Sequence, residues 1–269
     1  METLCSDFFA RHPEISFAAL GAEANEVALD LAPFGRAARY ISAEKNSALV
    51  ERYRSANLHA FPGELALPGW VLSDLYLLPG AIGLLLCPAR SLNVPLRKRL
   101  ALGVDDEAIA AAYVGAPTVT PGLFIGVSLI SLMPGIHAGA WVKALTLRML
   151  RANRMRGVAQ WSNPAVRVHT RMGPLRVVGP VPGTHEFRAK SFVYETDLSN
   201  DAFWRDAMAR KLSLPVTRRV RTDDLATLAE LCGRADLGET IHVVPPGLTS
   251  QGELLVHEGP WPSGIRRGP

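Results

Sequence analysis

The stretch Ala108–Val142 contains no Asp, Glu, Lys or Arg, and this constrains the chain more than any other feature. A segment without charge is either buried in protein or in lipid, because apolar side chains leave water wherever they can. A membrane helix needs roughly 20 mostly apolar residues in one uninterrupted run. Here Pro117, Pro121 and Pro134, with Gly115, Gly122, Gly126, Gly135 and Gly139, break the run. Strand, turn and helix start, all buried, are therefore expected in place of a membrane span. Leu123–Leu132, bounded by Pro121-Gly122 and Pro134-Gly135, is expected to be a central strand buried on both faces.

The rest of the composition agrees with a soluble, folded α/β domain. Hydrophobic residues make up 48% of the 269 and charged residues 20%, enough apolar matter for a core. Cys5, Cys87 and Cys232 are an odd and scattered set, which argues against a disulfide framework. No zinc-ligand spacing occurs, and no metal is expected. The acidic N-terminus lacks the apolar core of a secretory signal, so a cytoplasmic location is expected.

Element by element, the pattern predicts a helix over Thr3–Arg11, a strand within Ile15–Leu20, and short strands at Val27–Leu31 and Ala38–Ile41. A helix is expected over Asn46–Ala60, where Leu49, Tyr53 and Ala56 share a face. Trp70–Leu77 and Ala81–Cys87 are expected to form a hairpin across Leu78-Pro79-Gly80. Basic Leu92–Leu102 and Asp105–Tyr113, with acids in its first turn, are expected to be helical. A helix over Gly139–Arg156 would end at Gly157. Val158–Trp161 would be the next strand, followed by a short helix that opens on Asn163-Pro164 and closes at Gly173. Leu175–Val178 and Ser191–Tyr194 are the last expected strands of the main sheet. Beyond them, helices at Asp201–Leu212 and Thr222–Cys232 and strands at Val216–Val220 and Ile241–Val244 precede a loose tail.

Charge is lopsided. Ala108–His185 has no acid but carries Lys143, Arg148, Arg151, Arg154, Arg156, Arg167, Arg171 and Arg176. Such a field suits an anionic partner or a solvated basic face. Nucleic acid is disfavoured, because aromatics are not interleaved with the basic residues. The small residues of Met133-Pro134-Gly135-Ile136-His137-Ala138-Gly139-Ala140 lie between strand and helix. Amides at a helix N-terminus can cradle a phosphate, although a plain strand-to-helix turn explains the glycines equally well.

This order, strand, Gly-rich turn, helix, strand, then Gln160-Trp161-Ser162-Asn163-Pro164 opening a helix to Gly173, resembles the GNAT acyltransferase superfamily over about residues 36–198. The resemblance implies a mixed, mostly antiparallel twisted central sheet flanked by helices. An N-terminal extension, residues 1–35, and a small C-terminal α+β extension, residues 199–269, would flank it. It further implies transfer of an acyl group from a thioester to a small-molecule amine or amino-acid-like acceptor, without metal. Backbone of Ser128, Leu129 and Ile130 would hold pantetheine. Gly135, Gly139, Ala140 and Lys143 would serve the diphosphate. Ile136 stands where the family's loop begins with Gln or Arg, and Trp141 at its sixth position, which leaves an acyl-carrier-protein donor open beside acyl-CoA. A non-catalytic ligand-binding or partner-docking module on the same scaffold is the competing reading.

For chemistry, His169 is the candidate acid or base, since imidazole titrates near neutrality; Thr170 adjoins it. Asp74, expected within an apolar strand, and His185, in a loop, are candidates on the acceptor side. Ser128 and Ser131 interrupt the central strand and are candidate hydrogen-bonding groups. No GxSxG elbow supports serine hydrolase chemistry.

Overall fold

A computed structural model describes residues 2–24, 29, 31–61, 66–182 and 189–261. The chain divides into two compact units. One comprises Glu2–Pro121 and Gly126–Ala152; the other comprises Gly122–Ile125 and the chain from Asn153 onward.

In the first unit, helix α1 (Glu2–Arg11) leads to strand β1 (Ser16–Gly21) and strand β2 (Ala38–Ser42). Helix α2 (Ser47–Ala60) follows, capped by the Asn46 side chain, which accepts from the Leu49 amide at 3.1 Å. Leu49, Tyr53, Ala56 and Asn57 are its buried face. Helix α3 (Gly69–Tyr76), strand β3 (Ile82–Pro88), helix α4 (Val94–Arg99), strand β4 (Glu107–Pro117) and strand β5 (Leu123–Ser131) come next. Helix α5 (Ala138–Met149) closes the unit. The strand order is β2-β1-β3-β4-β5. β1 and β2 pair in parallel, whereas β1–β3 and β3–β4 are antiparallel. Helix α5 packs on β4, β3 and β1, and all of it except Arg148 is buried.

In the second unit, strand β6 (Arg154–Gln160) pairs in parallel with the opening residues Leu123–Ile125 of β5. Helix α6 (Ala165–His169) continues as a 3-10 turn, Thr170–Met172, and stops at Gly173, whose φ of +129° suits glycine. The Asn163 side chain accepts from the Ala165 amide at 2.8 Å, which anchors the helix start. Strands β7 (Leu175–Pro180) and β8 (Ser191–Asp197) follow, then helix α7 (Asp201–Met208), strand β9 (Arg218–Arg221) and helix α8 (Leu225–Asp236). Strands β10 (Ile241–Leu248) and β11 (Glu253–Glu258) complete it, in the order β6-β8-β7-β10-β11-β9. From β6 onward its ladders are antiparallel. The architecture is thus α/β, with mixed, mostly antiparallel strands flanked by helices.

Several expectations are corrected. Trp70–Leu77 is helical: Leu72 and Leu75, three apart, are buried while Ser73 and Asp74 face water. Asp105–Tyr113 is not a helix; its Ala-rich run is the buried core of β4, between β3 and β5, where tertiary pairing outweighs alanine's helix propensity. The strand buried on both faces is therefore β4, because in β5 only Leu123 and Ile130 are buried, with Ile125 and Val127 exposed. Helix α5 ends at Met149, so Arg151 and Arg154 lie outside it. Gly157 stops no helix but sits within β6, where a Cβ would meet the Tyr194 hydroxyl at 2.7 Å. Strand β11 was not foreseen. The strand expected at Val27–Leu31 and the tail beyond Trp261 lie largely outside the described residues. Among the described residues no helix is long and apolar enough to cross a membrane.

Candidate functional site

The strand–turn–helix of the first unit builds the candidate anion cradle. The Leu132 and Met133 amides both donate to the Ala110 carbonyl, at 2.8 and 3.1 Å, which ties the end of β5 to β4. The chain then turns through exposed Pro134 and Gly135. Gly135 has φ +91°, and a Cβ there would meet nothing within 4 Å. His137 is left-handed (φ 56°, ψ 36°), and its carbonyl accepts from the Ala140 and Trp141 amides at 2.9 and 3.2 Å, starting α5. The His137 side chain does not cap the helix. The first amides of a helix have no carbonyl one turn back, and together with the positive end of the dipole they suit an anion.

The residues expected to serve a cofactor divide by exposure. Ser128 Oγ is sealed from solvent and has no hydrogen-bond partner, so it has unspent bonding capacity at mid-strand. Leu129 is half-buried, Ile130 buried, and Ser131 exposed. Gly139 and Ala140 are buried under the helix start. A Cβ on Gly139 would lie 3.2 Å from the Ser131 Cβ, so this glycine lets α5 close on β5. Lys143 is fully enclosed, its Nζ 5.9 Å from the centre of the Tyr113 ring. Burial pulls its ammonium down to about 7. Its charge is thus turned into the core and not toward a phosphate in solvent. Trp141 is buried too, stacked on Phe8 at 4.4 Å.

In the second unit, His169 is the last residue of α6 and is buried. Its ring lies 5.1 Å from that of Tyr194, which continues through Phe192 to Trp161 as an aromatic row. Nothing in the order of residues links position 194 to position 169; packing of β8 against α6 brings the two rings together. Thr170 Oγ1 donates to the Val166 carbonyl at 3.1 Å, a local helix bond.

The basic span also resolves into separate tasks. Arg154, Arg156 and Arg176 converge on buried Glu195, at 3.6, 2.9 and 3.3 Å. Strand register places Arg156 and Arg176 directly on either side of it. Arg167 donates to the Leu248 and Thr249 carbonyls, and Arg171 to that of Met208. Much of the expected positive face is therefore committed to internal partners. Asp74, exposed on α3, is not a buried strand carboxylate. His185 lies outside the described residues. Among the described residues no group of three His, Cys, Asp or Glu side chains could hold a metal.

No family model matches the chain, and neither does any curated protein. Solved structures to which it is similar include yncA of Salmonella typhimurium, assigned as an acetyltransferase and solved with its cofactor acetyl-CoA. The two are 14% identical, with 60% of this chain and 92% of that one covered and a TM-score of 0.38. A ribosomal-protein-alanine N-acetyltransferase of Brucella melitensis is 13% identical over 60% and 98% of the two chains, TM-score 0.38. A GCN5-related N-acetyltransferase of the same organism is 13% identical over 64% and 80%, TM-score 0.41.

Proposed function

We propose that the protein is an N-acyltransferase that moves an acyl group from a thioester, acyl-CoA or an acyl-carrier protein, to a small-molecule amine. The observation that carries the reading is the run from mid-β5 through the open turn at Gly135 to the N-terminus of α5. An acyl-CoA donor carries both chemistries that this run offers to meet: amides in pantetheine for the backbone of β5, and a diphosphate for the first amides of α5; a carrier-protein donor brings the same pantetheine with a single phosphate.

In this reading the amine attacks the thioester carbonyl as a base removes its proton, the tetrahedral centre collapses, and an acid meets the departing sulfur. Backbone amides along β5 would stabilise the developing oxyanion. His169, beside the Tyr194 phenol, is the proposed acid. Asp74 and His185 are proposed on the acceptor side. The inward-facing Lys143 and the bulk of Trp141 in the first turn of α5 favour one second reading, a ligand-binding or docking module without catalysis.

Calorimetric titration with CoA, acetyl-CoA and a phosphopantetheinylated carrier protein separates the outcomes. Saturable binding together with acyl transfer to an amine supports the enzyme. Binding without transfer supports the second reading, and no binding of any of the three overturns both.

A further inference from the structure

A hollow of about 300 Å3 opens in the first unit, lined from the last turn of α2, from α4 and from the end of β5. It is at the lower end of the size range of small-molecule sites. His59, Asn93 and Arg99 are polar side chains on its wall, with Pro95 and Leu96 between them. What these polar groups have left to offer is donors. Asn93 Oδ1 already accepts from the Leu96 amide at 2.8 Å, so its two Nδ2 hydrogens remain. Arg99 is exposed, and among the described residues its five N–H donors serve no hydrogen bond or ion pair. The His59 ring is likewise without a partner among them, and either neutral tautomer carries one N–H. No Asp or Glu lines the hollow.

A donor-rich wall with a fixed positive charge and no carboxylate suits an anion. Donors that come from two helices meet the three spread oxygens of a terminal phosphate better than the two coplanar oxygens of a carboxylate. Pro95 and Leu96 leave apolar surface for the body that bears the phosphate. Ser131 fixes where the hollow lies. It lines the hollow and also packs against the first turn of α5, since a Cβ on Gly139 would be 3.2 Å from the Ser131 Cβ. The phosphate site is therefore next to the helix start proposed for the diphosphate.

We infer, on the thioester reading above, that this hollow takes the ribose 3′-phosphate of CoA and thereby selects acyl-CoA over a carrier protein. CoA carries that phosphate close to its diphosphate. The phosphopantetheine of a carrier protein ends on a protein side chain and has no such group, so it leaves Arg99 unanswered.

The test is calorimetry on the intact protein with CoA, dephospho-CoA, which lacks only the 3′-phosphate, and ribose 5-phosphate. CoA should bind at least about tenfold more tightly than dephospho-CoA. Arg99→Gln changes an exposed side chain and should cut that advantage to about threefold or less. Ribose 5-phosphate should be excluded from protein already saturated with CoA. Equal affinity for CoA and dephospho-CoA overturns the inference and leaves the thioester reading standing. Binding of neither nucleotide removes CoA as the donor, and the inference with it. An undiminished advantage in folded Arg99→Gln puts the 3′-phosphate elsewhere and overturns the inference. So does ribose 5-phosphate binding to the CoA-saturated protein, which gives the hollow to a separate phosphorylated molecule. The comparison of the two nucleotides needs no variant, so a folding defect in Arg99→Gln would not shield the inference.

Discussion

Gly83 on β3 lies directly against Thr146 on α5: a Cβ at position 83 would come within 1.9 Å of the Thr146 hydroxyl and 3.0 Å of its Cβ. Thr146 cannot swing away freely, because its hydroxyl donates to the Val142 carbonyl at 2.7 Å. This close approach seats α5, and with it the turn that starts the helix, on the strands. Gly83→Ala is therefore expected to cost about 1–3 kcal/mol by overpacking. Thr146→Ala in the same chain should recover part of that loss. A double-mutant cycle in urea measures the coupling, and simple additivity of the two changes would show that the contact does not govern the packing.

The buried Lys143 sets a pH dependence. Its native ammonium titrates near 7, whereas an unfolded lysine keeps its proton to about 10.4. Between these values the unfolded chain binds more protons, so this group makes stability rise with pH. Below 7 it is charged in both states, and the burial penalty is fully present. The slope approaches about 1.4 kcal/mol per pH unit. Cys87 and Cys232, raised by burial to about 11 and 12, pull the other way above the ordinary thiol range. Lys143→Met should thus be more stable than the parent at pH 7, with the difference shrinking as pH rises toward 9. Parallel denaturation curves at pH 7, 8 and 9 check it; a constant difference would mean the ammonium is not desolvated.

The regions that could be read from sequence are those where local signals decide. Asn46 caps its helix, and Asn163 holds the Ala165 amide just ahead of the next, because each has a short acceptor at the right offset. Gly135 and the small residues after it mark the turn into α5. What failed depends on distant partners. Asp106, whose charge suits a helix start, instead accepts from the Gly103 amide and pairs with Arg52 from α2. The alanines after it are strand because β3 and β5 lie on either side. The apolar run at Trp70–Leu77 hid a helical pair, Leu72 and Leu75, among residues that face water. The candidate site was legible in the same proportion: the strand, turn and helix start were in the sequence, whereas the neighbours of His169 and Glu195 were not. Tyr194 reaches His169, and three arginines reach Glu195, through strand pairing and helix packing that no short window contains.

His169 carries two expectations that one pair of variants separates. Because the ring is buried beside Tyr194, His169→Ala should cost about 1–3 kcal/mol. His169→Phe keeps a ring there and should recover most of that stability. If the imidazole gives a proton to the leaving sulfur, both variants lose turnover by about 100-fold or more, measured as thiol release from a thioester donor. Full turnover in a stable His169→Phe protein would assign His169 to packing alone.

The loop before α5 offers a test that does not disturb the core. Gly139→Glu cannot serve, because position 139 is buried against Ser131 and a charge there would strike folding and binding together. His137 is exposed, left-handed and immediately ahead of the first helical amides. Asp and Asn both tolerate that backbone, and either can cap the helix. Asp additionally brings a negative charge that favours the helix dipole but repels a diphosphate. His137→Asp should therefore leave thermal stability equal or higher while weakening CoA binding about tenfold. His137→Asn, with the same shape and no charge, should bind CoA nearly as the parent does. The difference between these two variants, taken by calorimetry at low salt and again at high salt, isolates electrostatics at the N-terminus of α5. The difference should shrink as salt screens the charge. Equal CoA affinity in the Asp and Asn proteins, both folded, would remove the diphosphate from this helix start.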